Sequence, residues 1–167
     1  MVRPLRVLFL SRRNTIRSLM AEAIMNQKGR GKFSARSAGV EVAKAADPDA
    51  IDALRQAGYD VSGLRPKLVR EMIAPGTEPL DFLFTLSDTA RSEPLPEIQG
   101  HPISAHWQCD DPVLMNDDEV GRPLKCGRVL ALLERRIGVF MELPFERLDR
   151  ASLQKAVDQI AAPHQVS

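Results

Sequence analysis

The chain has 167 residues, 44% hydrophobic and 27% charged, proportions of a globular domain whose core needs no covalent staples. Lys and Arg number 23 against 22 Asp and Glu, and the net charge of +1 gives no general reason to expect nucleic acid or an anionic membrane as partner. Two cysteines, Cys109 and Cys126, exclude a disulfide framework and fit a reducing cytoplasm; no apolar stretch reaches membrane-spanning length, and the N-terminus lacks the apolar core and cleavage site of a secretory signal.

In chain order, Leu5 to Leu10 is continuous, apolar and short, the pattern of a buried strand. Arg17 to Gln27 follows as a helix, with Leu19 and Ala23, then Met20 and Ile24, at helical spacing. Lys32 to Ala38 is a second strand, closed by Gly39. Asp47 is placed to cap a helix that takes Pro48 in its first turn, continues through Ile51, Leu54 and Arg55, and ends at Gly58. Residues 66–73 read as a short helix, 80–88 as a third strand and 102–107 as a fourth. Residues 122–142 carry apolar positions for one long helix, which Gly127 and Gly138 weaken, and Asp149 caps a last helix bearing Leu153, Val157 and Ile160.

This alternation implies an α/β three-layer sandwich around a central four-stranded parallel sheet. Residues 1–162 form one domain, and 163–167 fray. The first strand is then central, and ligands bind beyond the strands' C-terminal ends. The loops 11–18, 87–89 and 109–112 should share that rim.

The first of these loops carries the chemistry. A turn from strand to helix presents successive N–H groups to an anion, and the helix adds its positive end. Arg17 offers two parallel hydrogen bonds to a tetrahedral oxyanion. Asn14 tolerates the left-handed backbone that a tight loop often needs.

Beyond these features, "VLFL-SRRNTIRS-LMAEAI" resembles the motif of the low-molecular-weight protein tyrosine phosphatases, Cys, five residues, Arg, then Ser or Thr, and more closely that of their bacterial arsenate-reductase branch. The resemblance continues through "SARSAGV", "ALRQAGYDVSGLRPK", "LDFLFTLSD", "AHWQCDDP" and "LPFERLDRASLQ", nearly the whole chain. It implies a phosphatase-type fold with the oxyanion held by Ser11, Arg12, Arg13, Asn14, Thr15, Ile16 and Arg17. Ser11 takes the nucleophile position, Ser18 supports it by hydrogen bonding, Asn14 shapes the loop, and Asp111 protonates the leaving group. Asp110 is a neighbouring rival, and Asp111 before Pro112 also reads as a turn.

The departures from the motif matter as much. Ser11 stands where the family has its reactive thiol, and a hydroxyl is not ionised by the field that lowers a thiol from about 8.5 to ~3.5–7.5. A serine nucleophile needs a base; the loop supplies only Ser18, and His106 reads better as strand-end packing. Arg12 and Arg13 replace a small residue and a glycine, so the loop shape is in question. Their charges favour a more highly charged ligand unless both point into solvent. Ser87 and Leu95 stand near the positions of the relay cysteines of arsenate reductases, so the family's thiol relay cannot run. Cys109 and Cys126 read as buried packing residues, and His101, His106 and His164 have no metal-ligand spacing with them.

The expected function is therefore binding of a phosphate, arsenate or sulfate-like oxyanion, or of a phosphorylated ligand, with catalysis impaired, no cofactor and no metal. Two alternatives stand beside it. One is an active phosphatase or arsenate reductase-like enzyme, particularly if Ser11 is an engineered exchange. The other is an interaction domain whose pocket is closed.

Overall fold

The computed structural model describes residues 3–41, 43–110 and 121–162. Its elements run β1 (Leu5–Ser11), α1 (Arg17–Lys28), β2 (Phe33–Gly39), α2 (Pro48–Gln56), α3 (Val69–Met72), β3 (Phe82–Thr85), α4 (Asp88–Ser92), β4 (Ile103–His106), α5 (Gly121–Met141) and α6 (Arg150–Ile160). The four strands form one sheet in the order β2-β1-β3-β4, every pair parallel. All four C-terminal ends thus lie along one edge, and β1 is interior, as its unbroken apolar run requires.

Alternate residues of β1 enter two different cores. Val7 and Phe9 join Ile24 of α1, Leu54 of α2, Leu133 and Phe140 of α5, and Val157 of α6. Leu8 and Leu10 join Val69 of α3 and Ala90 of α4 on the opposite face. The period of two along β1 therefore creates three layers, a thick helical layer, the sheet and a thin helical layer. Aromatic side chains fill the thick side. Phe84 stacks on Trp107 with ring centroids 3.9 Å apart, and the Trp107 indole N–H donates to the Val157 carbonyl at 2.9 Å. A buried indole needs such an acceptor.

Helix starts follow local chemistry. The carboxylate of Asp47 accepts the Asp49 N–H at 2.9 Å, and that of Asp149 accepts the Ser152 N–H at 2.7 Å, so both expected caps are present. The long helix α5 is continuous: a Cβ built at Gly127 or Gly138 meets no atom within 4 Å, so neither glycine marks a crossing or a break. Most boundaries move by a residue or two from the sequence reading, and two shift for identifiable reasons. The third strand stops at Thr85, because Ser87 caps the unforeseen α4 by accepting the Ala90 N–H at 3.1 Å. The short helix expected over 66–73 begins only at Val69, because Lys67 is engaged through its backbone instead.

Both borders of the sheet are occupied by side chains. The Asn26 amide accepts the Ala35 N–H at 2.7 Å and donates to the Ala35 carbonyl at 2.9 Å on the outer side of β2. On the outer side of β4 Gln154 donates to the Ser104 carbonyl, and just before the strand Arg150 donates to the His101 carbonyl, both at 2.7 Å. The expected acid Asp111, its neighbour Pro112, His164 and the 163–167 tail lie outside the described residues.

Candidate oxyanion site

The loop between β1 and α1 lies at the C-terminal edge of the sheet, between the ends of β2 and β3. Arg17, only 6% exposed, donates from a guanidinium NH₂ to the Cys109 carbonyl at 3.0 Å and so joins the first loop to the chain after β4. Arg136 of α5 holds that same segment by donating to the Gln108 carbonyl at 2.8 Å, and burial draws its guanidinium below the ordinary value, partly offset by Cys109. Cys109 and Cys126 are both buried, as packing residues would be.

Ser11 Oγ and Ser18 Oγ are 2.6 Å apart, and either hydroxyl can donate to the other. Ser11 Oγ also accepts the Asn14 N–H at 3.2 Å, and Ser18 Oγ accepts the Asn14 side-chain N–H at 2.7 Å. Ser11, Asn14 and Ser18 are at most 2% exposed, so this triangle is sealed from water. Asn14 takes φ 59°, the left-handed conformation, and its side-chain oxygen accepts the Lys67 N–H at 2.9 Å.

No described base touches Ser11. The His106 imidazole is bound on both nitrogens, by the Thr85 hydroxyl at 2.7 Å and by Gln108 at 2.8 Å. Thr85, Asp88 and His106 gather at the ends of β3 and β4, with His106 and Asp88 3.7 Å apart.

Helix α1 begins without a side-chain cap, whereas α2, α4 and α6 each have one. Among the described residues, moreover, no protein acceptor takes the N–H of Arg12, Arg13, Thr15, Ile16 or Ser18. Ile16 and Ser18 are buried, and buried N–H groups are almost always paired. A run of open donors at a bare helix start has the chemistry of an anion cradle.

Arg12 and Arg13 do not occupy left-handed backbone; within 11–18 only Asn14 does. The loop therefore accepts them without the strain a glycine position would impose. Both ε-nitrogens turn to one carboxylate, Glu41, at 3.1 and 3.5 Å.

Sequence reasoning missed Glu41, Gly39 and Lys67. The Glu41 and Val40 N–H groups donate to the Arg12 carbonyl at 2.9 and 3.0 Å. A Cβ at Gly39 would sit 2.7 Å from the Arg13 carbonyl carbon, so only glycine lets the loop lie this close to β2. A glycine closing a strand was the available signal.

The sequence model of the family described as low molecular weight phosphotyrosine protein phosphatase matches residues 6–157. The chain belongs to that family. Among similar proteins, an arsenate reductase of Bacillus licheniformis is 29% identical over 136 residues, 81% of this chain and 94% of its own. A glutaredoxin arsenate reductase of Synechocystis is 31% identical over 107 residues, 64% of this phosphatase-family chain and 78% of the relative. The solved arsenate reductase of Archaeoglobus fulgidus aligns with TM-score 0.64 at 28% identity, covering 82% of this chain and 99% of that one. A further arsenate reductase, solved in a phosphate binding state, aligns with TM-score 0.64 at 25% identity over 82% of this chain and 96% of its own. This family member keeps the four-stranded parallel sheet of those structures. Among the described residues no cluster of His, Cys, Asp and Glu suits a metal ion, and no helix is long and apolar enough to cross a membrane.

Proposed function

We propose that this phosphatase-family chain binds a phosphate-type oxyanion in the 11–18 loop and is catalytically impaired. The observation that carries the reading is the set of open amides on Arg12, Arg13, Thr15, Ile16 and Ser18 at the uncapped start of α1. Arg17 supplies the charge at the same helix start, and the similar arsenate reductase solved in a phosphate binding state supports the class of ligand. Impairment follows from Ser11 itself, a hydroxyl where the family motif has a thiol, with no described base against it. Asp111 is the proposed acid on the strength of the family motif alone. No cofactor enters this reading, and the ligand is one of a reducing cytoplasm. Calorimetry with phosphate, arsenate and sulfate tests it. Binding that Arg17→Ala abolishes is expected; no binding to the unaltered chain overturns it.

One observation favours an enzyme instead. The Ser11–Ser18–Asn14 triangle keeps the nucleophile position in a fully hydrogen-bonded frame. Hydrolysis of an aryl phosphate by the unaltered chain, lost in Asp111→Asn, would establish that second reading. Arsenate reduction is the weaker form of it, because Ser87 and Leu95 carry no thiol; Ser87 instead caps α4. The third reading is an interaction domain with a closed cup; Arg12 or Arg13 folded into the loop would favour it, and both ε-nitrogens instead meet Glu41.

A further inference from the structure

The rim of the cup carries two cations that the binding of a single oxyanion does not use. Arg12 and Arg13 follow Ser11 directly, so their side chains leave the same backbone whose amides face the proposed ligand. Each guanidinium meets Glu41 through its ε-nitrogen, at 3.1 Å for Arg12 and 3.5 Å for Arg13. Among the described residues the terminal NH₂ groups of both have no hydrogen-bonding partner. One carboxylate offsets one of the two charges, and a net positive charge with two planar donor forks remains.

Glu41 is held in register with these arginines. Its own N–H and that of Val40 bond the Arg12 carbonyl, so the carboxylate rides on a segment fixed to the loop. The pairs are nevertheless open to water, with side-chain exposures of 37% for Arg12, 56% for Arg13 and 43% for Glu41. Ion pairs this exposed contribute little, and an incoming anion can displace the carboxylate at small cost. Arginine recognises phosphoryl and carboxyl groups through paired N–H donors, and such a ledge beside a phosphate cradle suits a second anion on the same ligand.

We infer that Arg12 and Arg13 form a specificity ledge, poised by Glu41, that selects small ligands bearing a second anionic group next to the phosphoryl group held in the loop, as in a diphosphate. The inference rests on the oxyanion reading of residues 11–18 and narrows its ligand class. Arg17 and the amides hold the first group, and the arginine forks hold the second. Glu41 keeps the forks in place when no ligand is present and competes with the second anion.

The test compares inorganic pyrophosphate with orthophosphate by calorimetry at one pH and ionic strength, for the unaltered chain, Glu41→Gln and the double variant Arg12→Ala/Arg13→Ala. The unaltered chain is expected to prefer pyrophosphate by about tenfold or more, a gap of ~1.4 kcal/mol. In the double variant the ratio is expected to fall to within about threefold, and in Glu41→Gln, which leaves the loop residues intact, to rise about twofold or more as a competing charge is removed. Orthophosphate binding without a pyrophosphate preference overturns the inference and leaves the cradle intact. So does a ratio that Glu41→Gln leaves unchanged. Failure of both anions to bind overturns the cradle reading and the ledge together.

Discussion

The side-chain oxygen of Asn14 accepts the backbone N–H of Lys67 at 2.9 Å, a bond that spans 53 residues of sequence. The same side chain donates to Ser18, and its backbone is left-handed at φ 59°. Asn14 therefore ties the loop, the start of α1 and the chain before α3 into one unit. Asn14→Ala should lose both side-chain bonds and in addition bear the left-handed penalty of about 1–2 kcal/mol. Asn14→Gly should lose the bonds alone. Urea denaturation should rank unaltered, Gly, Ala in falling stability. Equal losses for Gly and Ala would mean that the loop relaxes out of its left-handed turn.

Ser11→Cys should convert a bound hydroxyl into an ionisable thiol at an uncapped helix start. Aryl phosphate hydrolysis should rise by about a hundredfold or more, or ~2.7 kcal/mol of barrier. The rise should follow titration of a thiol below its ordinary value of about 8.5. A variant that binds phosphate yet stays inert would show that the frame around position 11 no longer supports attack.

Gly39 and Gly127 make opposite predictions. Alanine at Gly39 places a Cβ 2.7 Å from the Arg13 carbonyl carbon and 3.0 Å from the Asn14 nitrogen, both backbone atoms that cannot swing aside. Overpacking of this kind costs about 1–3 kcal/mol, and phosphate affinity should fall with it if the loop is the proposed cradle, because the displaced atoms belong to that loop. At Gly127, within α5, a Cβ meets nothing, so alanine should stabilise by about 0.5–1 kcal/mol and leave anion binding alone. Thermal melts with and without phosphate separate the two effects.

Glu134 sets part of the pH dependence. It accepts the Tyr59 hydroxyl at 2.6 Å and pairs with Lys28 at 3.2 Å, and the Tyr59 bond first, then Lys28, hold its carboxyl below the usual range against the opposing effect of burial. A depressed carboxyl stabilises the fold above its unfolded value of about 4.3, and that contribution disappears as pH falls through the lower folded value. Lys28 is raised by the neighbouring Tyr59 oxygen and by its bond to Glu134, and Tyr59 is raised chiefly by burial. Raised groups contribute fully below their unfolded values, about 10 for both, and lose that contribution as pH rises through the folded ones. Urea midpoints of the unaltered chain and Glu134→Gln should therefore converge on the acid limb, below about pH 4. A constant difference from pH 7 to 2 would show that the carboxylate charge is not what the cluster uses.

The fold was legible because its signals are local. The run Leu5 to Leu10 is apolar throughout since Val7 and Phe9 face one core and Leu8 and Leu10 the other. Asp47 and Asp149 act within three residues of themselves, so their caps could be read directly. Helix α4 escaped because its five residues after an apolar strand are too short to show a helical period, and Ser87, at the overlap of the 80–88 strand and the 87–89 loop, gives no separate sign of a cap. Glu41 and Lys67 escaped for a different reason. They reach the loop largely through backbone atoms, which any residue possesses, across distances that no spacing rule encodes. What Arg12 and Arg13 do was likewise hidden, since their orientation depends on a carboxylate 29 residues from Arg12.

The amide of Asn26 seated against Ala35, and Gln154 against Ser104, carry a consequence for solubility. A stray strand approaching β2 finds both peptide groups of Ala35 already taken, and one approaching β4 finds the Ser104 carbonyl taken, so strand addition is hindered at both flanks. The molecule can hold a bare, donor-rich helix start at one end of its strands without the strands themselves recruiting neighbours.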